Sequence, residues 1–192
     1  MVLQQQTNAA IWGTAAVNKT VKITTSWDKK SYSTQSDANG NWKIKVKTPT
    51  AGGPFSIKIT DGKELELKNI LIGEVWICSG QSNMEMTVNN SKNAGIEIQN
   101  ANFPTVRLFK VPLRVGQFPE EDIPSGEWNV CSPETIADFS AVGYFFGREL
   151  STELNVAIGL LQTAWGGTVA ETWTSSETLH NDPDFKDQLA EL

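Results

Sequence analysis

The sequence predicts a mixed α/β fold: a small antiparallel β-sandwich over residues 1–70, followed by an α/β unit over residues 71–192. Three observations predict it. Apolar residues alternate with polar ones from Ala9 to about Leu67, the period of strands with one buried face. Turn-forming residues interrupt that alternation at short intervals, the spacing of a sandwich. Beyond Asn69 the pattern changes to continuous apolar runs and a helical repeat, the signature of parallel strands joined by a helix.

In the first part, Val21, Ile23, Thr25 and Trp27 form one alternating set. Trp42, Ile44 and Val46 form a second, Phe55, Ile57 and Ile59 a third, and Leu65 and Leu67 a fourth. Asp37 to Gly40, Pro49 to Pro54 and Asp61-Gly62 supply the turns between them. In the second part, Val75–Cys78 reads as a strand covered on both faces. A short helix is expected within 92–100 and a strand over Val106–Val111. Gln117 to Ser125, with two prolines and three acids, reads as loop. Val142, Phe145, Phe146, Leu150 and Leu154 lie at helical spacing across Ser140–Leu154, and Ala157–Leu161 is a second buried strand. The last seven residues, KDQLAEL, read as a helix without a stop signal.

Composition narrows the function. With 39% hydrophobic residues and a mean hydropathy of −0.29, the 192 residues fit a soluble globular protein. No run approaches the roughly 18 apolar residues of a membrane span, and no signal peptide follows Met1. A net charge of −6 with no basic stripe argues against nucleic acid as a partner. Two cysteines, Cys78 and Cys131, do not make a disulfide framework. Seven tryptophans suit packing or the gripping of a glycan, which leaves a non-catalytic carbohydrate-binding or assembly fragment as the rival of an enzyme.

The chemistry concentrates where two strands end. Residues 73–86, GEVWICSGQSNMEM, run from an apolar strand into two serines, a glycine and two amides. Residues 162–168, QTAWGGT, follow the second strand. Open α/β sheets hold ligands beyond the carboxyl ends of their strands. A serine there can be presented on a tight turn, with the N–H groups of the turn poised for the oxyanion of an acyl transfer. Gly166-Gly167 offers backbone that can approach a ligand closely. The stretch lacks the second glycine of Gly-x-Ser-x-Gly, since Met84 stands there. From spacing alone, a polar turn in which Ser79 or Ser82 caps a short helix competes with a nucleophile.

The wider wording of GEVWICSGQSNMEM resembles the nucleophile block of the sialate O-acetylesterase family, a branch of the SGNH-type carbohydrate esterases. MVLQQ, IWGTA, DANGNWKIKV, TPTAGGPFSIKI and LKNILIGEVW resemble its leading β-domain, and AIGLLQTAWGGTVAETW its second block. The resemblance implies an incomplete SGNH-hydrolase-like (flavodoxin-like), three-layer α/β domain after the sandwich. It implies Ser82 as the nucleophile, with the N–H groups of Ser82 and of Gly167 (or Gly166) as oxyanion donors. Gly80, Gln81, Asn83, Met84, Glu85 and Gly166 would shape the pocket, and Trp165, Glu171 and Trp173 match as well. The implied reaction removes O-acetyl groups from sialic acid or a related acetylated sugar through a serine acyl-enzyme. It uses no metal or organic cofactor, and the implied location is secreted or periplasmic.

A serine nucleophile needs a base, usually a histidine oriented by a carboxylate. The single histidine, His180, stands in a polar, proline-containing stretch with Asp182 and Asp184. The family's Asp-x-x-His and Tyr-Gln-Gly-Glu-Ser-like stretches have no match here. The expectation is therefore an N-terminal portion, inactive alone, with an open hydrophobic sheet edge. Its partner would be the C-terminal part of the catalytic domain, in the same or another chain.

Overall fold

A computed structural model describes residues 1–116, 120, 122–123 and 125–185. The expected loop Gln117–Ser125 falls largely outside these residues, and the expected terminal helix over 186–192 wholly outside. The fold is mixed α/β, with one large sheet and short helices.

The first strands are β1 (Val2–Gln4), β2 (Asn8–Thr14), β3 (Thr20–Thr25), β4 (Ser31–Gln35), β5 (Asn41–Lys47) and β6 (Gly52–Thr60). Then comes β7 (Glu64–Cys78), a single strand of 15 residues that runs across position 70. Its first half pairs antiparallel with β6. Its second half pairs in parallel with β1 and with β10 (Ala157–Gln162). β10 in turn lies parallel to β8 (Phe103–Lys110), which takes β9 (Asn129–Cys131) antiparallel on its outer side. The eight-stranded sheet thus has the order β4-β3-β6-β7-β10-β8-β9, with β1 also on β7. β2 and β5 form a separate antiparallel ribbon. Ribbon and sheet share one core, in which Trp42 and Val46 meet Val21, Ile23, Ile57, Ile59 and Ile70.

Five helices complete the described chain: α1 (Ser82–Glu85), α2 (Ala94–Gln99), α3 (Pro133–Ile136), α4 (Ala141–Leu154) and α5 (Ser176–Asn181). The expected helix over 140–154 is α4, and it connects the parallel neighbours β8 and β10. It buries Ala141, Gly143, Tyr144, Gly147 and Ser151 against the face bearing Cys78, Ile158 and Leu160. A full turn of α4 can lie this close because position 147 has no side chain; a Cβ there would stand 2.7 Å from Leu160.

One expectation needs correction. Val75–Cys78 is not covered on both faces among the described residues. Trp76 and Cys78 point toward α4, where Trp76 meets Phe146 edge to face at 5.1 Å. Val75 and Ile77 point the opposite way, and Ile77 is 70% exposed. β1 covers the outer side of β7 only as far as Gly73, and the Gln4 side chain reaches one step further to accept from the Val75 N–H at 2.9 Å.

Burial decides the character of the two thiols. Cys131 is fully buried, which pushes its thiol up to about 12, and burial raises the Cys78 thiol as well. Both therefore stay protonated and unreactive near neutral pH. Iodoacetamide is expected to spare both in the folded protein at mildly alkaline pH and to alkylate both in denaturant. The crossing of β7 and β10 gives a second prediction. A Cβ at Gly73 would stand 2.0 Å from the Ala157 carbonyl oxygen. Gly73→Ala should therefore cost roughly 1–3 kcal/mol, as overpacking does, read as a lower urea midpoint; an unchanged midpoint contradicts this pairing.

Candidate active site

The serine and glycine segments leave the sheet side by side. Their strands are parallel neighbours, with Cys78 opposite Gln162. The pairing continues past the strand ends: Thr163 N–H donates to the Cys78 carbonyl at 3.0 Å, and Trp165 N–H to the Gly80 carbonyl at 2.9 Å. The Gln81 amide donates to the Thr168 carbonyl. Gly166 N–H donates to a carboxylate oxygen of Glu85 at 2.7 Å. Eight residues, four from each segment, are thereby tied to one another.

Close approach explains the glycine at 166. A Cβ there would lie 3.3 and 3.4 Å from Ser82 Cα and Cβ and 2.6 Å from Glu85 Oε2. Its own N–H is occupied by Glu85. Gly167 differs. Its φ of +78° lies in the left-handed region, no atom stands within 4 Å of where its Cβ would be, and its N–H has no partner among the described residues.

Ser82 opens α1 and is exposed. The alternative in which Ser79 or Ser82 caps this helix is not met, because Gln81 holds the capping position and caps nothing with its side chain. The helix closes on backbone instead: Met84 and Glu85 N–H both donate to the Gln81 carbonyl. The Ser82 hydroxyl is left without a hydrogen bond among the described residues, as are the exposed side chains of Ser79 and Asn83.

Beneath α1 lies a buried polar chain that sequence reasoning missed. Met84 packs on the core and takes the Ser140 hydroxyl on its sulfur at 3.4 Å. The same hydroxyl accepts from Gly143 N–H at 3.1 Å and caps α4. Ser140 N–H donates to Gln162 Oε1 at 2.9 Å, and Gln162 is 2% exposed. An amide closing an apolar strand was the available signal. A buried amide stays only where its hydrogen bonds are met. This chain locks the exits of β7 and β10 to the start of α4.

The glycine segment is braced from its far side. Trp173 Nε1 donates to Thr168 Oγ1 at 2.8 Å, and that hydroxyl donates to the Trp165 carbonyl at 2.8 Å. Glu171 and Trp173 sit on the single turn Ala170–Trp173 that follows. His180, expected in a loop, stands in the last turn of α5. Its Nδ1 meets the Ser176 carbonyl of its own helix at 2.7 Å, and the ring is exposed. Asp182 accepts from Asp184 N–H, and neither aspartate side chain is hydrogen-bonded to the imidazole among the described residues. Among the described residues, no three His, Cys, Asp or Glu side chains are grouped to hold a metal ion.

Comparison with known proteins gives a consistent result. Residues 72–184 match the family described as carbohydrate esterase, sialic acid-specific acetylesterase. The sialate O-acetylesterase of Mus musculus is 32% identical over 197 residues, covering 93% of this chain and 36% of that protein. The Homo sapiens enzyme of the same name is 33% identical, covering 93% and 38%. The crystal structure of a carbohydrate acetylesterase from Xanthomonas citri superposes with a TM-score of 0.88 at 33% identity, covering 94% of this chain and 42% of that one. The chain spans little more than a third of the length of the curated relatives it matches. It belongs to the carbohydrate esterase family of sialic acid-specific acetylesterases.

Proposed function

We propose that the protein removes O-acetyl groups from a sugar, sialic acid or a related acetylated glycan, through an acetyl-enzyme on Ser82. The observation that carries this reading is the contact of the Ser82 backbone with Gly166, whose N–H is held by Glu85 while that of Gly167 is unclaimed. In the proposed sequence, Ser82 Oγ attacks the acetyl carbonyl carbon, and the hydroxyl proton passes to a general base. The N–H groups of Ser82 and Gly167 take up the developing oxyanion. The C–O bond to the sugar then breaks as the base returns its proton to the leaving oxygen. Water, activated by the same base, releases acetate and restores the serine.

Gly80, Gln81, Asn83, Met84 and Gly166 shape the turn and the cleft, and Glu85 acts as a positioning residue. It ties α1 to the glycine segment and so sets the distance between nucleophile and oxyanion donor. The base is supplied by parts of the protein beyond these 192 residues, in keeping with relatives almost three times as long. The same reading makes residues 1–70 an accessory sandwich and residues 71–192 the first part of an SGNH-like, three-layer domain. Supporting this, helix α4 packs on one face of the parallel strands while Ile77 stands exposed on the other. These residues alone are then catalytically silent.

Acetyl release from 4-nitrophenyl acetate and from O-acetylated sialic acid by the complete protein tests the assignment. Ser82→Ala should lower the rate at least about 10²–10³-fold, and an unchanged rate sinks it. His180→Ala should leave the rate unchanged; a comparable loss would move the base to this histidine. The Glu85 carboxylate gives a graded test. Glu85→Ala removes a charge-assisted hydrogen bond worth about 1.5–3 kcal/mol, so kcat should fall about 10–100-fold with KM held within about twofold. Glu85→Gln, which keeps an acceptor, should recover most of that loss. Loss of stability in both variants with kcat intact would leave Glu85 a structural brace only.

A further inference from the structure

The outward face of the β2–β5 ribbon carries residues that the acetyl-transfer site does not use. Register divides the ribbon cleanly. Ala9 and Val46, Ile11 and Ile44, and Gly13 and Trp42 are paired toward the core. Asn8 and Lys47, Ala10 and Lys45, Trp12 and Lys43, and Thr14 and Asn41 are paired outward. Trp12 stands on that outward row and is 54% exposed. It has neither an aromatic partner nor an acceptor for its indole N–H among the described residues. Trp27, Trp76, Trp128 and Trp173 each have one or the other, whereas Trp42 and Trp165, which share the lack, are buried and half-buried.

Trp12 borders an open hollow of about 680 Å3, whose lining also includes Thr14, Asp37, Asn41, Trp42, Lys43 and a second carboxylate, Asp122, and no residue of the serine or glycine segments. That volume falls within the range of small-molecule sites, roughly 300–1,000 Å3. Its rim is held in place before any ligand arrives. One carboxylate oxygen of Asp37 accepts from the N–H groups of Asn39 and Asn41 at 2.8 and 2.9 Å, which fixes the turn. The Lys43 ammonium forms no ion pair among the described residues. A flat apolar face beside a lysine donor, an amide and two carboxylates matches a pyranose, whose ring face is apolar and whose edge is hydroxylated.

We propose that this hollow is a second glycan subsite, with a pyranose ring stacked on Trp12 and its hydroxyl or carboxylate groups bonded by Lys43, Asn41 and Asp37. The subsite would hold the glycan chain while another unit is deacetylated at Ser82, and in that respect it rests on the esterase reading. Binding itself does not depend on turnover.

The test uses two non-acetylated probes, 3′-sialyllactose and the neutral xylohexaose, titrated into the isotopically labelled complete protein. Both probes are expected to move the backbone amides of residues 12–14 and 41–43. Trp12→Ala should weaken that binding about tenfold, the loss of one stacking contact. Tighter binding of the sialoside that disappears in Lys43→Ala assigns the site to an anionic sugar; equal binding assigns it to neutral pyranoses. Trp12→Ala should leave hydrolysis of 4-nitrophenyl acetate unchanged, whereas Ser82→Ala tests the other site. Amides 12–14 and 41–43 unmoved by both probes, or unchanged affinity in Trp12→Ala, overturns the subsite even if the esterase assignment stands.

Discussion

A parallel pair of strands must end on the same side, and this constraint governs the candidate site. β7 and β10 are adjacent and parallel, with Cys78 level with Gln162. The two segments that follow are therefore delivered to one place, although 81 residues separate Glu85 from Gly166. The backbone bonds from Thr163 to Cys78 and from Trp165 to Gly80 extend the ladder into what would otherwise be free loops. The Glu85 carboxylate then closes the bracket on the far side of Ser82. A carboxylate bonded to a backbone N–H is stronger than a neutral pair. It also occupies one N–H of the glycine pair, while the other has no partner among the described residues.

The rest of the molecule serves that delivery. β7 belongs both to the antiparallel strands of the first 70 residues and to the parallel strands of the remainder, so neither half can shift without the other. Below it, Gln162, Ser140 and Met84 link the strand exits to α4 through buried hydrogen bonds, which hold only while every member stays paired. The turn that carries Ser82 is thus held from below even though Ser82 itself is exposed.

Much of this was legible in the residues, for identifiable reasons. Period-two alternation located β3, β5 and β6, because a half-buried strand must alternate. The spacing of Val142, Phe145 and Leu150 located α4. GQSNM and WGGT pointed to the two segments that meet. What escaped depended on contacts distant in sequence. The continuity of β7 through position 70 is invisible locally, since its two halves have different partners. Val75–Cys78 reads as fully buried from its apolar run, but burial depends on what covers Ile77. Serine is the stronger capping residue, but Gln81 precedes α1 and the backbone closes the turn without a side chain. No local pattern reports that Glu85 reaches Gly166. His180, which its residue type alone nominates as a base, stands in the last turn of α5 with its Nδ1 at the Ser176 carbonyl.

The proposed reaction passes the acetyl group through a covalent ester on Ser82. Rapid quenching of the complete protein during hydrolysis of 4-nitrophenyl acetate, followed by peptide mass spectrometry, measures this directly. One acetyl group on Ser82 during turnover, lost as the substrate is exhausted, is the predicted result. Turnover with Ser82 unmodified, or with the acetyl group on another residue, would contradict it.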